Sequence, residues 1–291
     1  MIWWIIWVFL SAIDDINYQK AVRIGKDLSK TVYNSFRFVW WSLLSILILL
    51  FWLYSLKDFF DTNLSIFLIM TLIVIIWMIT SPLRQKVYKS EKISAILPYQ
   101  KINSLLIIIV SFFWFKDTSL ISFLITIVLL FLLVFSSIDP KSKQKVNNKM
   151  LVIFIQMLTT IEQLLIVYVI KLVSQHFYYI SYNFLGILLT NITAIILCYS
   201  WYLKQIKNQS KKFFFHRLIS SFTWWISMFI NAFLIKSFGA VITFLLGFLG
   251  VWVMLVMSYI FQKDRPAKKD IILAVVVSVL VWLAFILKKN F

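Results

Sequence analysis

The chain is predicted to be an all-α integral membrane protein with ten transmembrane helices, built as two inverted five-helix repeats. Three observations predict this: the length of its apolar runs, the placement of its Lys and Arg residues, and a degenerate internal repeat. Of 291 residues, 62% are hydrophobic and 14% charged, and the mean hydropathy is +0.92. A soluble domain averages about 45–50% apolar and about 25% charged residues. The apolar runs reach about 17 to 20 residues, enough to span a hydrocarbon core about 30 Å thick. They are continuous rather than alternating, which excludes a β-barrel pattern.

Spans are expected at 2–23, 32–56, 64–81, 93–115, 119–138, 150–173, 178–203, 213–235, 238–262 and 270–287. The connectors are short, so successive helices run antiparallel. The polar stretch "DPKSKQKVNNK" at 139–149 separates an N-terminal repeat, 1–138, from a C-terminal repeat, 150–291. The first span needs its own justification. Residues 2–13 cover only about 18 Å of helix. A crossing must continue through "AIDDINYQKAV", which carries Asp14 and Asp15 into the membrane. The alternative is an interfacial segment and nine spans. The first apolar segment lacks a basic leader and an A-x-A-like site, so no cleavable signal is expected.

The net charge of +18 lies in short loops. In a soluble protein it would suggest nucleic acid; here topology and anionic lipid explain it, and no nucleic-acid partner is expected. The connectors after spans 1, 3, 5, 7 and 9, with the adjacent helix ends, hold 22 Lys and Arg, and the opposite side holds 6. The positive-inside rule therefore places the odd connectors in the cytoplasm and both termini outside a cell membrane.

The repeat is clearest where "SFFWFKDTS" (111–119) meets "SYIFQKDRP" (258–266). Ser111/Ser258, Lys116/Lys263 and Asp117/Asp264 are identical at an offset of 147. At an offset of 149, Tyr33/Tyr182, Asn34/Asn183 and Trp52/Trp201 coincide. Five spans per half give the halves opposite orientation. That is the plan of many secondary transporters, with the substrate site near the midplane between repeats. The same motifs resemble the drug/metabolite transporter (DMT) superfamily, in particular its EamA-like family. The likeness extends to Pro98 early in the fourth span, the acidic turns at Asp117 and Asp264, and "TVYNSFRFVWWSLLS" with Arg37. Lys116 and Lys263 stand where the family commonly has Gly before the acid. The resemblance implies export of a small organic metabolite or drug-like solute by alternating access.

Candidate site residues follow from the cost of burying polarity. An ionisable residue at a helix centre costs about 2.5–3.5 kcal/mol on insertion scales and reads as functional by default. Asp14, Asp15 and Glu162 are such residues, and Asp14 and Glu162 match at an offset of 148. They either bind a cationic or zwitterionic substrate, or exchange a proton, or pair with Lys20, Lys101 or Arg37 to fix packing. Lys101 either snorkels to the interface or serves as counter-ion to an anionic group. Asn17, Tyr18, Gln156, Gln163, Asn103 and Asn231 line the same cavity or join helices. Trp41 and Trp225, with neighbours Trp40 and Trp224, either wall an apolar substrate or face lipid. Gly239, Gly247 and Gly250 permit close helix approach.

No enzyme is expected. H-E-x-x-H, G-x-S-x-G and P-loop motifs are missing from the sequence, and "DFFD" (Asp58, Asp61) stands on a predicted outer loop without a second acidic motif. A single cysteine, Cys198, and two histidines, His176 and His216, provide neither a disulfide framework nor a metal site. No cofactor or metal is expected. The partners are a small-molecule substrate and the bilayer, with proton coupling open and a monomer or homodimer equally compatible. The alternatives are a carrier of a choline-like or lipid-like compound, a non-transporting membrane scaffold, and an intramembrane transferase.

Overall fold

The computed structural model describes residues 2–25, 64–91, 93–115, 149–173 and 207–247 continuously, with individual residues between 120–132, 178–189 and 250–279. Among the described residues every secondary-structure element is a helix. These are α1 (Ile2–Ile24), α2 (Leu64–Ser90), α3 (Ile93–Phe115), α4 (Lys149–Leu172), α5 (Lys211–Phe238) and α6 (Ala240–Gly247). Three of them, α2, α4 and α5, have the length and hydropathy to cross a membrane. At 23 residues, α1 is about 35 Å long, and its two aspartates lower its apolarity. The span expected at 32–56 lies outside the described residues. Those expected at 119–138, 178–203, 238–262 and 270–287 are described in part, and there they are helical apart from Gly239.

The helices are inside-out relative to a soluble fold. Leu64, Leu68, Leu72, Ile75 and Ile79 form one exposed stripe on α2, while Thr80, Ser81 and Gln85 are buried. On α4, Met150, Phe154, Met157 and Ile161 are exposed and Gln156, Thr159, Thr160 and Glu162 are buried. In water such a surface would be a very large apolar patch. In lipid it is the expected one, since apolar side chains lose nothing by facing hydrocarbon and polar ones must find partners inside.

α1 packs along α5, and α4 packs along α2 and α3. Both principal pairs are antiparallel. In the first, Trp4 and Val8 cluster with Ile230 and Leu234 at one end, while Asn17 meets His216 near the other. In the second, Val152 and Ile155 cluster with Val87 and Tyr88, and Ile166 and Ile170 cluster with Met70 and Ile73. The apolar clusters thus occupy opposite ends of the bundle. Between them lies a layer holding Asp14, Asp15, Arg84, Thr159 and Glu162.

Two boundaries have local causes. α2 was expected to stop at 81, before Pro82, but it runs through that proline to Ser90. Proline is tolerated in membrane helices where hydroxyls and neighbouring helices satisfy the freed backbone groups. Its C-terminal carbonyls are met from α1: Gln19 Nε2 donates to Glu91 O at 2.9 Å, and Arg23 donates to Tyr88 O at 3.3 Å and Glu91 O at 2.9 Å. α5 begins at an N-cap, with Ser210 Oγ accepting from Phe213 N at 3.2 Å. It ends at Gly239, whose φ of 84° and ψ of 159° lie in a region essentially reserved for glycine. That kink, rather than close packing, explains Gly239. Gly247 does serve approach: a Cβ there would lie 3.3 Å from the Trp7 indole.

Gly239→Ala is expected to lower stability by about 1–3 kcal/mol, the cost of a residue forced into that backbone region. Thermal melting of the purified protein in detergent checks this; an unchanged melting temperature would refute it.

Candidate functional site

A cavity of about 270 Å³ opens in the polar layer. Its volume lies just below the range of about 300–1,000 Å³ typical of small-molecule pockets. α1 contributes Trp7, Ser11 and Asp15, and α3 contributes Asn103. α4 contributes Glu162 and Gln163, Tyr178 and Tyr182 come from the partly described helical region after it, and α5 contributes Trp224 and Asn231. Glu162 and Tyr178 are almost completely buried, at 4% and 1% exposure. Four polar atoms at this cavity have no hydrogen-bond partner among the described residues: Asn103 Oδ1, Gln163 Oε1, Asn231 Oδ1 and the Tyr178 hydroxyl. A buried polar atom left in that state costs about 1–3 kcal/mol. All four belong to residues that line this one cavity.

A second cavity of about 190 Å³ adjoins it, lined by Arg84, Tyr88, Gln156 and Thr159. Asp15 and Asn103 line both. Arg84 Nη2 donates to Thr159 Oγ1 at 2.8 Å, and Tyr88 Oη donates to Asp15 Oδ1 at 3.3 Å. The two chambers therefore meet at one carboxylate and one amide, and the guanidinium of Arg84 faces the smaller chamber.

Asp14 and Asp15 point in different directions. Successive helical residues are about 100° apart, so one turns into the cavity and the other toward α5. There Ser220 Oγ donates to Asp14 Oδ1 at 2.6 Å. Asp14 and Glu162, which the expected repeat aligns, are thus not both cavity residues: Glu162 and Asp15 are. Gln163 is at the cavity wall. Tyr18 lies outside it, with its hydroxyl 3.4 Å from Ser81 O and its ring under the Arg217 guanidinium at 5.4 Å. Trp224 faces the cavity, while Trp225 packs on the apolar core. The side chain of Lys101 and all of Trp41 lie outside the described residues. Asn17 bonds Ile13 O and His216 Nδ1, each at 2.8 Å, and acts as a helix joint.

Sequence reasoning missed Arg84, Arg217, Trp7, Tyr178 and Ser227. Arg84 was counted as a connector charge and Arg217 as a helix-end charge on the same membrane face, yet Arg217 is fully buried. Tyr178 carried no signal beyond being aromatic near a helix start. Tyr182, by contrast, belongs to the repeated Tyr-Asn pair. Among the described residues no three His, Cys, Asp or Glu side chains gather as a metal site.

Ser220→Ala is expected to destabilise the protein by about 1.5–3 kcal/mol, because it removes a donor from a buried carboxylate. The readout is again thermal melting, and a loss below about 0.5 kcal/mol would show that Asp14 is held by other contacts.

Comparison with protein-family models finds no match, and comparison with curated proteins finds none either.

Proposed function

We propose that the chain is a secondary transporter of a small organic solute, with EamA-like architecture, in which the central cavity is the solute site. The carrying observation is the origin of its walls. Trp7, Ser11, Asp15 and Asn103 belong to residues 1–138, and the remaining lining residues belong to 150–291. A cavity between two repeats is where an inverted-repeat carrier holds its solute.

The helix packing supports the duplication. Exchanging the halves turns the first span into the sixth and the eighth into the third. The α1–α5 contact then becomes the α4–α2 contact, and both are principal packings of the bundle. Ser11 bonds Ser227 across the first pair at 2.8 Å. Its counterpart 148 positions later, Thr159, accepts from Arg84 across the second. The charge bias supports both termini outside, and export as the direction follows from the family resemblance.

Two measurements test this reading. Purified protein in proteoliposomes is expected to move at least one solute of a broad metabolite panel, and Asp15→Asn or Glu162→Gln to cut that flux about tenfold or more, the value of one charge-assisted contact. Flux retained in both variants would return the acids to a packing role, and no flux across the panel would favour a scaffold. A C-terminal reporter active only in the cytoplasm is expected to stay inactive; activity would reverse the orientation.

A further inference from the structure

We infer that the central cavity selects a primary ammonium or guanidinium solute, a cation with several N–H donors, over a quaternary ammonium. The inference rests on the transport reading of the same cavity and names its substrate class.

The chemistry of the walls carries it. Three of the four unpartnered atoms are amide oxygens, those of Asn103, Gln163 and Asn231, and each needs a donor. The fourth, the Tyr178 hydroxyl, can accept one as well. Asp15 and Glu162 add two carboxylates, which only accept when ionised. An amide turned end for end would offer nitrogen instead, but the carboxylates fix the sign of the site independently. No Lys or Arg lies among the described residues lining this cavity; Arg84, in the adjoining chamber, offsets one of the two carboxylate charges from there and leaves the pair a net acceptor. A carboxylate or phosphate solute would therefore meet acceptors of its own sign.

The aromatic wall completes the argument. Tyr182 and Trp224, with ring centroids 6.1 Å apart, both line the cavity. Their faces attract a cation of any kind. A trimethylammonium group could use this wall and the two carboxylates, yet it has no N–H and would leave all four orphan atoms unmet. A primary ammonium brings three donors and a guanidinium five. Sites built to hydrogen-bond a substrate group discriminate strongly against analogues that lack it, because their own buried groups are then stranded.

The test uses the full-length protein in lipid nanodiscs at neutral pH, with binding followed by tryptophan fluorescence. The probes are phenethylamine, its N,N,N-trimethyl derivative and phenylpropionate. Phenethylamine is expected to bind at least about tenfold more tightly than the trimethyl compound, the factor one charge-assisted hydrogen bond is worth. Phenylpropionate is expected not to bind. Equal or tighter binding of the trimethyl compound, binding of the carboxylate, or no binding of phenethylamine would overturn the inference. Asn231→Leu and Gln163→Leu are each expected to shrink the preference about tenfold at a melting temperature no lower than that of the unaltered protein; a preference untouched in both would also overturn it. The proteoliposome panel separates the two readings. Flux of another solute without ammonium binding sinks the substrate class and keeps transport, whereas ammonium binding without flux of any solute keeps the class and sinks transport.

Discussion

The rest of the structure depends on how α1 disposes of two adjacent carboxylates. Neither can face hydrocarbon at tolerable cost. Asp14 turns to α5, where the Ser220 hydroxyl meets it at 2.6 Å. Asp15 turns the other way, toward Tyr88 and the two chambers. The first choice fixes α1 against its principal neighbour. The second leaves a carboxylate where α3 and α4 must supply further polar groups. The composition of the central layer follows from that division.

The pattern also explains why the bundle has apolar ends and a polar waist. Trp4, Val8, Ile230 and Leu234 close one end of the α1–α5 pair, and Tyr18, Val22 and Phe213 lie near the other. Between them the contacts are hydroxyls and acids: Ser11 with Ser227, then Ser220 with Asp14. The α4–α2 pair repeats the scheme with Thr159 and Arg84. A neutral bond at such depth, such as Ser11 with Ser227, is worth about 0.6 kcal/mol on average, and the bond to the Asp14 carboxylate is worth more. All of them also fix register, since slipping either pair by a turn would leave a buried acid or guanidinium opposite apolar side chains.

Much of the fold was legible in the sequence because hydropathy is a one-dimensional signal. The segment expected at 93–115 is a helix with those bounds, and those expected at 2–23 and 150–173 are matched within one residue at each end. The break expected at 236–237 falls at Gly239 instead, so α5 runs three residues past its expected end. Rotational phase was not legible. These helices are apolar nearly all round, so nothing in the local pattern tells Asp15 from Asp14 or Trp224 from Trp225. Basic residues misled for a related reason. Arg84 and Arg217 flank apolar runs as topology signals do, but α2 continues through Pro82 and the first turns of α5 pack against Tyr18 of α1, so both end up within the packing. The amides were easier to see: Asn231 is an isolated polar letter in an apolar run, and Asn103 and Gln163 belong to short polar breaks within such runs.

The clasp at the end of α2 has a mechanical consequence. Gln19 and Arg23 of α1 supply the donors for the Tyr88 and Glu91 carbonyls, three bonds in all. Drawing the two helices apart there would strand those acceptors together with a guanidinium. α1 and α2 are thus welded at one end and behave as a single strut. Any movement that widens the chambers must pivot elsewhere, and α5 already carries a suitable joint, the glycine corner at its far end.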